Sequence, residues 1–374
     1  MSITIALILA ATAIRSGGDM RDAAMRPPSG ASPMVINSQP FARTVTCTGA
    51  RTLTGTATGA GAVTWSASPD GASGACTGTT SWSCPVAVSP NAAGEGVETI
   101  TVSQSGGGSA TVTLGFYVAG AHSCFLAQSY DGAYNAGKLN LAAVGTWVNL
   151  GSSALNVTQA TGSAQPTYRT GIVNGQPVVV VQCDGGDRLA AATASDWTFM
   201  NSGVDWSMSA VAATASSNPN AISVVAASST GNPLLRGFLA DFDDRSSVSR
   251  NDAAVFYMAN GTVDVINGVS ANDTVVSGLF HSVTWWLDDD AGAGADAFID
   301  ADGTVILSAA STAAYSALAP NAPINICATS TGTLPTTGDI SRVIIYSSAL
   351  TATQRGINLA VDEWALGSTF PVTP

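Results

Sequence analysis

The chain has 374 residues, 10% of them charged, and a formal net charge of -12. Its length exceeds what one small hydrophobic core organises, so two or three domains are expected. Threonine, serine, glycine, alanine and valine dominate, with only three glutamates and one lysine, which argues against a helical protein and predicts an all-β fold of short strands. No run of basic residues is present, which excludes a nucleic-acid-binding surface.

Residues 1–34 are predicted to form an apolar N-terminal arm followed by a linker. The first fourteen residues, MSITIALILAATAI, are apolar but too few to span a bilayer. They are similar to the hydrophobic region of a signal peptide, although no lysine or arginine precedes them. We expect an arm buried against a partner chain, and an uncleaved export signal is the alternative. The glycine pair and the Pro-Pro step that follow predict an extended linker.

Residues 35–118 are predicted to form an immunoglobulin-like β-sandwich. Short strand-like segments alternate with turns at the spacing of about 8–12 residues that is typical of such sandwiches. Alternation of apolar and polar residues is clearest in VETITV, residues 97–102, and in ATVTL, residues 110–114. Trp65 is interpreted as a core residue of this sandwich and not as a ligand platform.

The six cysteines predict disulfides and not a zinc site. No two of them have the C-x-x-C spacing, and the two histidines are far apart in the chain. An even number suits a protein of an oxidising environment. Cys76 and Cys84 flank TGTTSWS, a predicted hairpin tip, and closing this loop stabilises the fold by roughly 2.5 kcal/mol. Cys183 and Cys327 are either disulfide-bonded or buried as free thiols. The six are Cys47, Cys76, Cys84, Cys124, Cys183 and Cys327.

The clearest helix signal lies near the C-terminal end. Thr351 is a good N-cap residue, and Gly367 is a typical helix-ending glycine. Between them, Ile357, Val361 and Trp364 recur at helical spacing. We therefore predict a short amphipathic helix after a long series of strands.

Four motifs in residues 124–374 resemble, in order, the concanavalin A-like lectin/glucanase superfamily in its laminin-G-like form. The first contains GTWVNLGSSALNVTQATGSAQPTYRT, and the second is NGQPVVVVQCDGGDRL. The third is HSVTWWLDDDAGAGADAFIDADGTVI, and the last begins GDISRVIIYSSAL and ends in the predicted helix. The resemblance covers about 230 residues and implies a two-sheet jelly roll, whose commonest role is polysaccharide binding.

The same resemblance argues against catalysis. The glucanase branch of the superfamily uses two glutamates on one strand, one as nucleophile and one as acid/base. The only glutamate in residues 124–374 is Glu363, in the predicted helix. Aspartates 288–290 are interpreted as a hairpin tip. We therefore predict that the chain has no catalytic residues and is not an enzyme.

Five residues are candidates for carbohydrate binding. Tyr130, Tyr134 and Trp147 could supply aromatic faces, and Asp184 and Asp187 could supply polar groups. The alternative is that the aromatic residues are framework and that Asp184-Gly-Gly-Asp187 is the turn by which a buried valine strand reverses.

Calcium is a possible cofactor, with Asp184, Asp187 and Asp300 as candidate ligands, because this ion takes several oxygen ligands. No other cofactor is predicted. Trp285 and Trp286 are adjacent on one predicted strand and therefore point to opposite faces, one into the core and the other outwards or under another element.

These observations favour a non-enzymatic phage virion protein, of the head, neck, tail fibre or decoration class, exposed on the virion surface. Residues 1–34 would contact other virion proteins, and the jelly roll would bind a cell-surface glycan. A homo-oligomer is expected, without a membrane span and without nucleic acid. The alternative is a secreted bacterial carbohydrate-binding or adhesive protein.

Overall fold

The structure is a computed structural model, and it describes most of the chain from residue 34 to residue 371. The described residues are 34–37, 43–90, 96–127, 141–153, 155–173, 176–215, 221–227, 236–243, 251–288, 296–316, 318–332 and 334–371. Strands dominate them, two 3-10 helices occur at Gly162–Ala164 and Ser195–Asn201, and one α-helix follows the last strand. The predicted all-β class with a short C-terminal helix is confirmed. The predicted arm and most of the linker lie outside the described residues.

Eight strands form the first sandwich. They are β1 (Met34–Ile36), β2 (Thr44–Thr46), β3 (Ala50–Ala57), β4 (Val63–Ser68), β5 (Ser73–Ala75), β6 (Ser81–Ala87), β7 (Val97–Gln104) and β8 (Ser109–Phe116). One sheet has the order β1-β3-β6 and the other has the order β2-β8-β7-β4-β5. The pair β2–β8 is parallel, and the other paired neighbours are antiparallel.

The core of the first sandwich follows from the alternation seen in the sequence. Along β3, β4 and β7, every second side chain is buried, as expected for strands with one face on a core. Leu53 and Trp82 of one sheet meet Ile100 and Val102 of the other. Trp65 is 5% exposed within the same cluster, which confirms that it is a core residue.

Seventeen strands form the second, larger sandwich. They are β9 (Ser123–Leu126), β10 (Ala142–Ala143), β11 (Thr146–Trp147), β12 (Val157–Thr158), β13 (Thr167–Val173), β14 (Gln176–Asp184), β15 (Leu189–Ala191), β16 (Trp206–Thr214), β17 (Ala221–Ala226), β18 (Gly237–Asp243), β19 (Ala253–Ala259), β20 (Asp264–Val269), β21 (Phe280–Leu287), β22 (Ala297–Ala301), β23 (Thr304–Ala309), β24 (Asn325–Ile326) and β25 (Thr337–Tyr346).

These strands form one sheet of nine and one of eight. The nine-stranded sheet has the order β10-β13-β14-β25-β16-β21-β22-β23, with β9 added on β25. The eight-stranded sheet has the order β11-β12-β15-β24-β17-β18-β19-β20. Large aromatic side chains fill the space between the sheets, and the ring of Trp206 lies 5.4 Å from that of Phe238 across the core.

The run of four valines in β14 is buried on both faces, as the sequence predicts. Val179 and Val181 point into the core between the two large sheets. Val178 and Val180 point to the opposite face, which we call the outer face of the nine-stranded sheet, and pack there beneath Leu366. A strand covered on both faces needs this continuous apolar run.

All six cysteines form disulfides. Cys76–Cys84 is confirmed, and Thr77 and Ser83 beside it exchange backbone hydrogen bonds of 2.8 and 2.9 Å. The predicted hairpin is only local, however, because β5 and β6 belong to different sheets and the disulfide joins them.

The other two disulfides connect larger units. Of the two alternatives for Cys183 and Cys327, the structure has the disulfide, which joins the two large sheets. The bond Cys47–Cys124 joins the first sandwich to the second.

The helix α1 (Ala352–Leu366) lies on the outer face and confirms the helix prediction. Thr351 caps it in a capping box with Gln354, and Gly367, at a φ of 75°, ends it. Ile357 and Val361 pack in one cluster with residues of both sandwiches. The helix therefore fills the junction between the sandwiches and covers part of the large sheet. Within the described residues, no helix is long and apolar enough to cross a membrane.

Candidate functional site

The aromatic residues that the sequence suggested for sugar binding do not form a platform in the described structure. Tyr130 and Tyr134 lie outside the described residues. Trp147 is fully buried, and its ring lies 6.0 Å from that of Phe125 in the core. Pairing of β11 with β12 turns this side chain inwards, so Trp147 presents no face to a ligand and belongs to the framework.

The segment Asp184-Gly-Gly-Asp187 is a turn in which one oxygen of each carboxylate accepts a hydrogen bond from the backbone of the turn. Asp187 accepts a hydrogen bond from the N–H of Asp184 at 2.7 Å, and Asp184 accepts one from the N–H of Gly186 at 2.9 Å. Burial raises the pKa of Asp187 to about 6, and the Asp184 charge acts in the same direction. The turn carries the chain from β14 in one large sheet to β15 in the other, so it is a corner between sheets and not a reversal within one sheet.

Asp300 does not join the two aspartates of this corner. It lies on β22, four strands from β14 in the nine-stranded sheet, which corresponds to about 19 Å at the usual strand spacing. The three candidate calcium ligands are therefore not brought together. No group of three or more His, Cys, Asp or Glu residues suited to a metal occurs among the described residues.

Asp300 instead lies in a cleft between the outer face and the helix α1. The cleft has a volume of about 270 Å³. The sheet supplies a polar floor, and the first two turns of the helix form one wall. Its lining residues are Ser282, Thr284, Asp300, Gly303, Val305, Ala352, Arg355, Gly356 and Leu359.

An acidic and a basic side chain face each other across this cleft, and their charged atoms are too far apart for a hydrogen bond. Arg355 Nε lies 3.8 Å from Asp300 Oδ2, which is beyond hydrogen-bond distance. The other carboxylate oxygen of Asp300 accepts a hydrogen bond from the Gly303 N–H at 2.9 Å. Burial raises the pKa of Asp300, although the Arg355 guanidinium and the Gly303 N–H act in the opposite direction.

Arg355 is held in place by two further contacts. Its Nη1 donates to the Leu350 carbonyl at 2.6 Å, and its guanidinium carbon lies 3.9 Å from the centroid of the Trp286 ring. Trp286 in turn stacks on Phe298, at 4.9 Å and 11°. The prediction for the tryptophan pair is confirmed, because Trp285 is in the core while Trp286 is on the outer face under the helix.

Gly356 keeps the helical wall of the cleft open. A Cβ added to it would meet no atom within 4 Å, so packing does not require a glycine here. A glycine in a helix interior is less favourable than alanine by roughly 1 kcal/mol. The absence of a side chain at this position therefore leaves space in the cleft at the expense of helix stability.

Two hydroxyls of the cleft floor are positioned by a buried ion pair behind it. Arg342 of β25 pairs with Asp362 of α1 through both carboxylate oxygens. Ser282 donates to Asp362 Oδ2 at 2.8 Å. Thr284 donates to Ser209 at 3.0 Å, and Ser209 also accepts from Arg342 at 3.0 Å. The positions of both cleft hydroxyls thus depend on the Arg342–Asp362 pair.

The sequence indicated only one member of this cleft, Asp300. Ser282, Thr284 and Arg355 lie in the motifs quoted above, but nothing in those motifs marked them as binding residues, and β21 and α1 are separated by more than sixty residues of sequence. One signal was present in the chain itself: Gly356 interrupts an otherwise good helix pattern without any need for a turn.

Comparisons with known proteins give only loose similarities. No family model matches the sequence, and neither does any curated protein. Among solved structures, the Ruminococcus gnavus IT-sialidase CBM40 bound to alpha2,3 sialyllactose superposes with a TM-score of 0.36 at 13% identity, over 47% of this chain and 94% of that chain. The binding domain of Paraclostridial Mosquitocidal Protein 1 gives a TM-score of 0.40 at 13% identity, over 58% and 50%.

A Trypanosoma rangeli sialidase in complex with 2,3-difluorosialic acid gives 0.39 at 10% identity, over 66% of this chain and 33% of that chain. With TM-scores below 0.5, these similarities carry no argument about ligand or family. Evidence for function therefore comes from the cleft itself.

Proposed function

We propose that this protein is a non-enzymatic glycan-binding protein and that the cleft beside α1 binds one sugar ring. The observation that carries the proposal is the open Asp300–Arg355 pair in a small polar cleft. Sugar hydroxyls both donate and accept hydrogen bonds, and this cleft offers a carboxylate, a guanidinium and two hydroxyls. Its volume lies just below the range of about 300–1,000 Å³ usual for small-molecule pockets, which suits a single ring better than a longer chain.

The cleft supports binding and not hydrolysis. Glycosidases need two carboxyl groups, about 5–10 Å apart, on either side of the sugar bond. Asp300 is the only carboxylate among the lining residues of the cleft. Among the described lining residues, a bound glycoside would meet no second carboxylate that could act as acid/base or nucleophile.

The virion surface is the location that we propose for this binding function. The predicted order of an apolar arm, a small sandwich and a larger sandwich suits a protein attached through residues 1–34 to other virion proteins, with the larger sandwich outermost. Three disulfides suit an oxidising environment, which includes virion surfaces and secreted proteins.

The same disulfides favour the second candidate, a secreted bacterial adhesive protein. N-terminal sequencing of the mature protein separates the two. Retention of Met1 or Ser2 supports the virion protein, and a start shortly after residue 13 supports secretion.

The binding function is tested by filling the cleft without disturbing the fold. The variant Gly356→Gln places a side chain in open space and replaces the least favourable helix residue apart from proline, so we expect it to fold at least as well as the wild type. Glycan-array signals and calorimetric affinity should fall at least about tenfold, since the side chain occupies the cleft.

The matched control is Thr353→Gln, an exposed position in the same helix that does not line the cleft. It should leave both measurements unchanged. Equal glycan binding by wild type and Gly356→Gln would contradict the proposal.

A further inference from the structure

The acceptor side of the cleft is the second oxygen of Asp300. Oδ1 is used by the Gly303 N–H, which closes the turn after β22. Oδ2 has no hydrogen bond in the described part of the chain, and its nearest cation is Arg355 Nε at 3.8 Å. The side chain of Asp300 is 12% exposed, so the carboxylate is partly desolvated, and Oδ2 is paired only loosely with Arg355.

The donor side is the guanidinium edge of Arg355. Nη1 is committed to the Leu350 carbonyl, and the guanidinium plane rests on Trp286. Nε is buried and has no hydrogen-bond partner among the described residues. These two anchors hold the guanidinium away from Asp300, and each unsatisfied group calls for a physical explanation.

A hydroxyl oxygen placed beside this pair can lie within hydrogen-bond distance of both partners, since the two atoms are 3.8 Å apart. It can accept a hydrogen bond from the guanidinium while it donates its own proton to the carboxylate, at about 2.8 Å from each. A ligand carboxylate or sulfate only accepts hydrogen bonds, and it would place a second negative charge against Asp300. The Arg355–Asp300 pair therefore favours a ligand hydroxyl over a ligand anion, both because a hydroxyl can donate as well as accept and because it carries no negative charge.

The surroundings of the pair strengthen the discrimination against anions. Asp302 acts electrostatically on Asp300, and Asp288 acts on Arg355. Two carboxylates, Asp300 and Asp288, thus act on the Arg355 guanidinium, on a chain whose formal net charge is -12. A ligand anion gains from Arg355 but is opposed by the other charges.

We infer that the cleft selects an uncharged sugar through a hydroxyl that bridges Arg355 and Asp300, and that it discriminates against acidic sugars. The inference rests on the proposed function, since it names the ligand class of the same site. Ser282 and Thr284, fixed by the buried pair behind them, supply further oxygens to the ring.

The experiment compares matched sugars that differ only at C6, where the acid has a carboxylate in place of a hydroxymethyl group. Isothermal titration calorimetry of the full chain uses the methyl glycosides of glucose and galactose against those of glucuronate and galacturonate. We expect the neutral member of at least one pair to bind about tenfold or more tightly than its acid, because the acid loses a charge-assisted hydrogen bond and meets Asp300. In Asp300→Asn the ratio of the affinity for the neutral sugar to the affinity for its acid should move towards one.

The outcomes separate the two levels of the proposal. If a uronate binds as tightly as its neutral partner, or if Asp300→Asn leaves the ratio unchanged, the charge selectivity is wrong while glycan binding stands. If no sugar of either kind binds by calorimetry and the glycan array is blank, the proposed function itself is wrong.

Discussion

Two arginine–aspartate pairs lie between the nine-stranded sheet and the helix α1, and they differ in how completely they are closed. In the Arg342–Asp362 pair both side chains are at most 2% exposed, and Tyr117 and Ser282 also donate to the carboxylate at 2.8 Å. In the Arg355–Asp300 pair the side chains are 15% and 12% exposed, and the charged atoms stay 3.8 Å apart.

The difference separates a structural ion pair from an available one. Removal of both charges from water is compensated only where hydrogen bonds saturate the carboxylate, as at Asp362. Tyr117 belongs to the first sandwich, so the closed pair also ties the two sandwiches to the helix. At the second pair, anchoring of Arg355 on Trp286 and Leu350 leaves polar atoms for a ligand.

The largest expected effect is on stability, from Asp362→Asn. The change leaves Arg342 as a buried charge without its partner, and we expect the free energy of unfolding to fall by about 3–5 kcal/mol. Chemical denaturation measures it, and Asp300→Asn, the matched change in the open pair, should change it by less than about 1 kcal/mol.

If Asp362→Asn and Asp300→Asn lower the free energy of unfolding equally, the distinction between the two pairs is wrong. If Asp362→Asn does not fold, the double change Arg342→Met and Asp362→Leu removes both charges and should restore folding. A double variant that stays unfolded would contradict this explanation of the closed pair.

The next largest effect concerns the junction that the closed pair shares with the disulfide Cys47–Cys124. Replacement of both cysteines by alanine should lower the free energy of unfolding by about 4 kcal/mol, because the bond closes a loop of 77 residues in sequence. Removal of Cys76–Cys84, with a separation of 8, should lower it by about 2.5 kcal/mol.

Both losses are read from denaturation curves of oxidised proteins. The loss from the junction disulfide and that from Asp362→Asn should not be additive, since both changes act on one interface. Strict additivity would show that the ion pair does not contribute to joining the sandwiches.

A smaller effect is expected on ligand binding as the pH falls. The carboxylate form of Asp300 accepts the ligand hydroxyl, and protonation removes that charge. Because burial raises the pKa of Asp300, affinity for a neutral glycoside should begin to fall at a higher pH than the value of about 3.9 of an ordinary aspartate. Calorimetric titrations between pH 4 and 8 measure the profile, which should become flat in Asp300→Asn.

The smallest effect is expected at the corner between the large sheets. The pKa of Asp187 is raised to about 6, so this carboxyl lowers stability as the pH rises from about 4 through about 6. Asp187→Asn keeps an oxygen that accepts from the Asp184 N–H and does not titrate.

The variant should therefore gain on the order of 1 kcal/mol above pH 6, because the neutral amide avoids the burial of a charge, and nothing below pH 4. Thermal denaturation at pH 4 and pH 8 compares the two proteins. A gain that is the same at both values would assign the effect to something other than the charge.

Local features of the fold could be predicted because their causes are local in sequence. The capping box at Thr351, the helix end at Gly367 and the run of valines in β14 each depend on a few neighbouring residues. The disulfide Cys76–Cys84 could be predicted for the same reason, since its two cysteines flank one turn.

The functional residues depended on packing that the sequence does not show. Trp147 is an aromatic residue near polar turns, which suggested a face for sugar binding, but the pairing of its strand directs the side chain into the core. Asp184 and Asp187 looked like ligands, but one oxygen of each accepts a hydrogen bond from the backbone of their own turn. Asp300 was indicated as a calcium ligand, yet its partner across the cleft is Arg355, a cation.

By itself, the sequence determined that this chain is all-β, where its C-terminal helix lies, and that its valine strand is buried. These are consequences of side-chain periodicity and capping, which act over a few residues. Only the tertiary structure decided that α1 returns to the outer face of the nine-stranded sheet. That packing closes one arginine–aspartate pair and leaves the other open, because it brings β21, β22 and α1 together from distant parts of the chain.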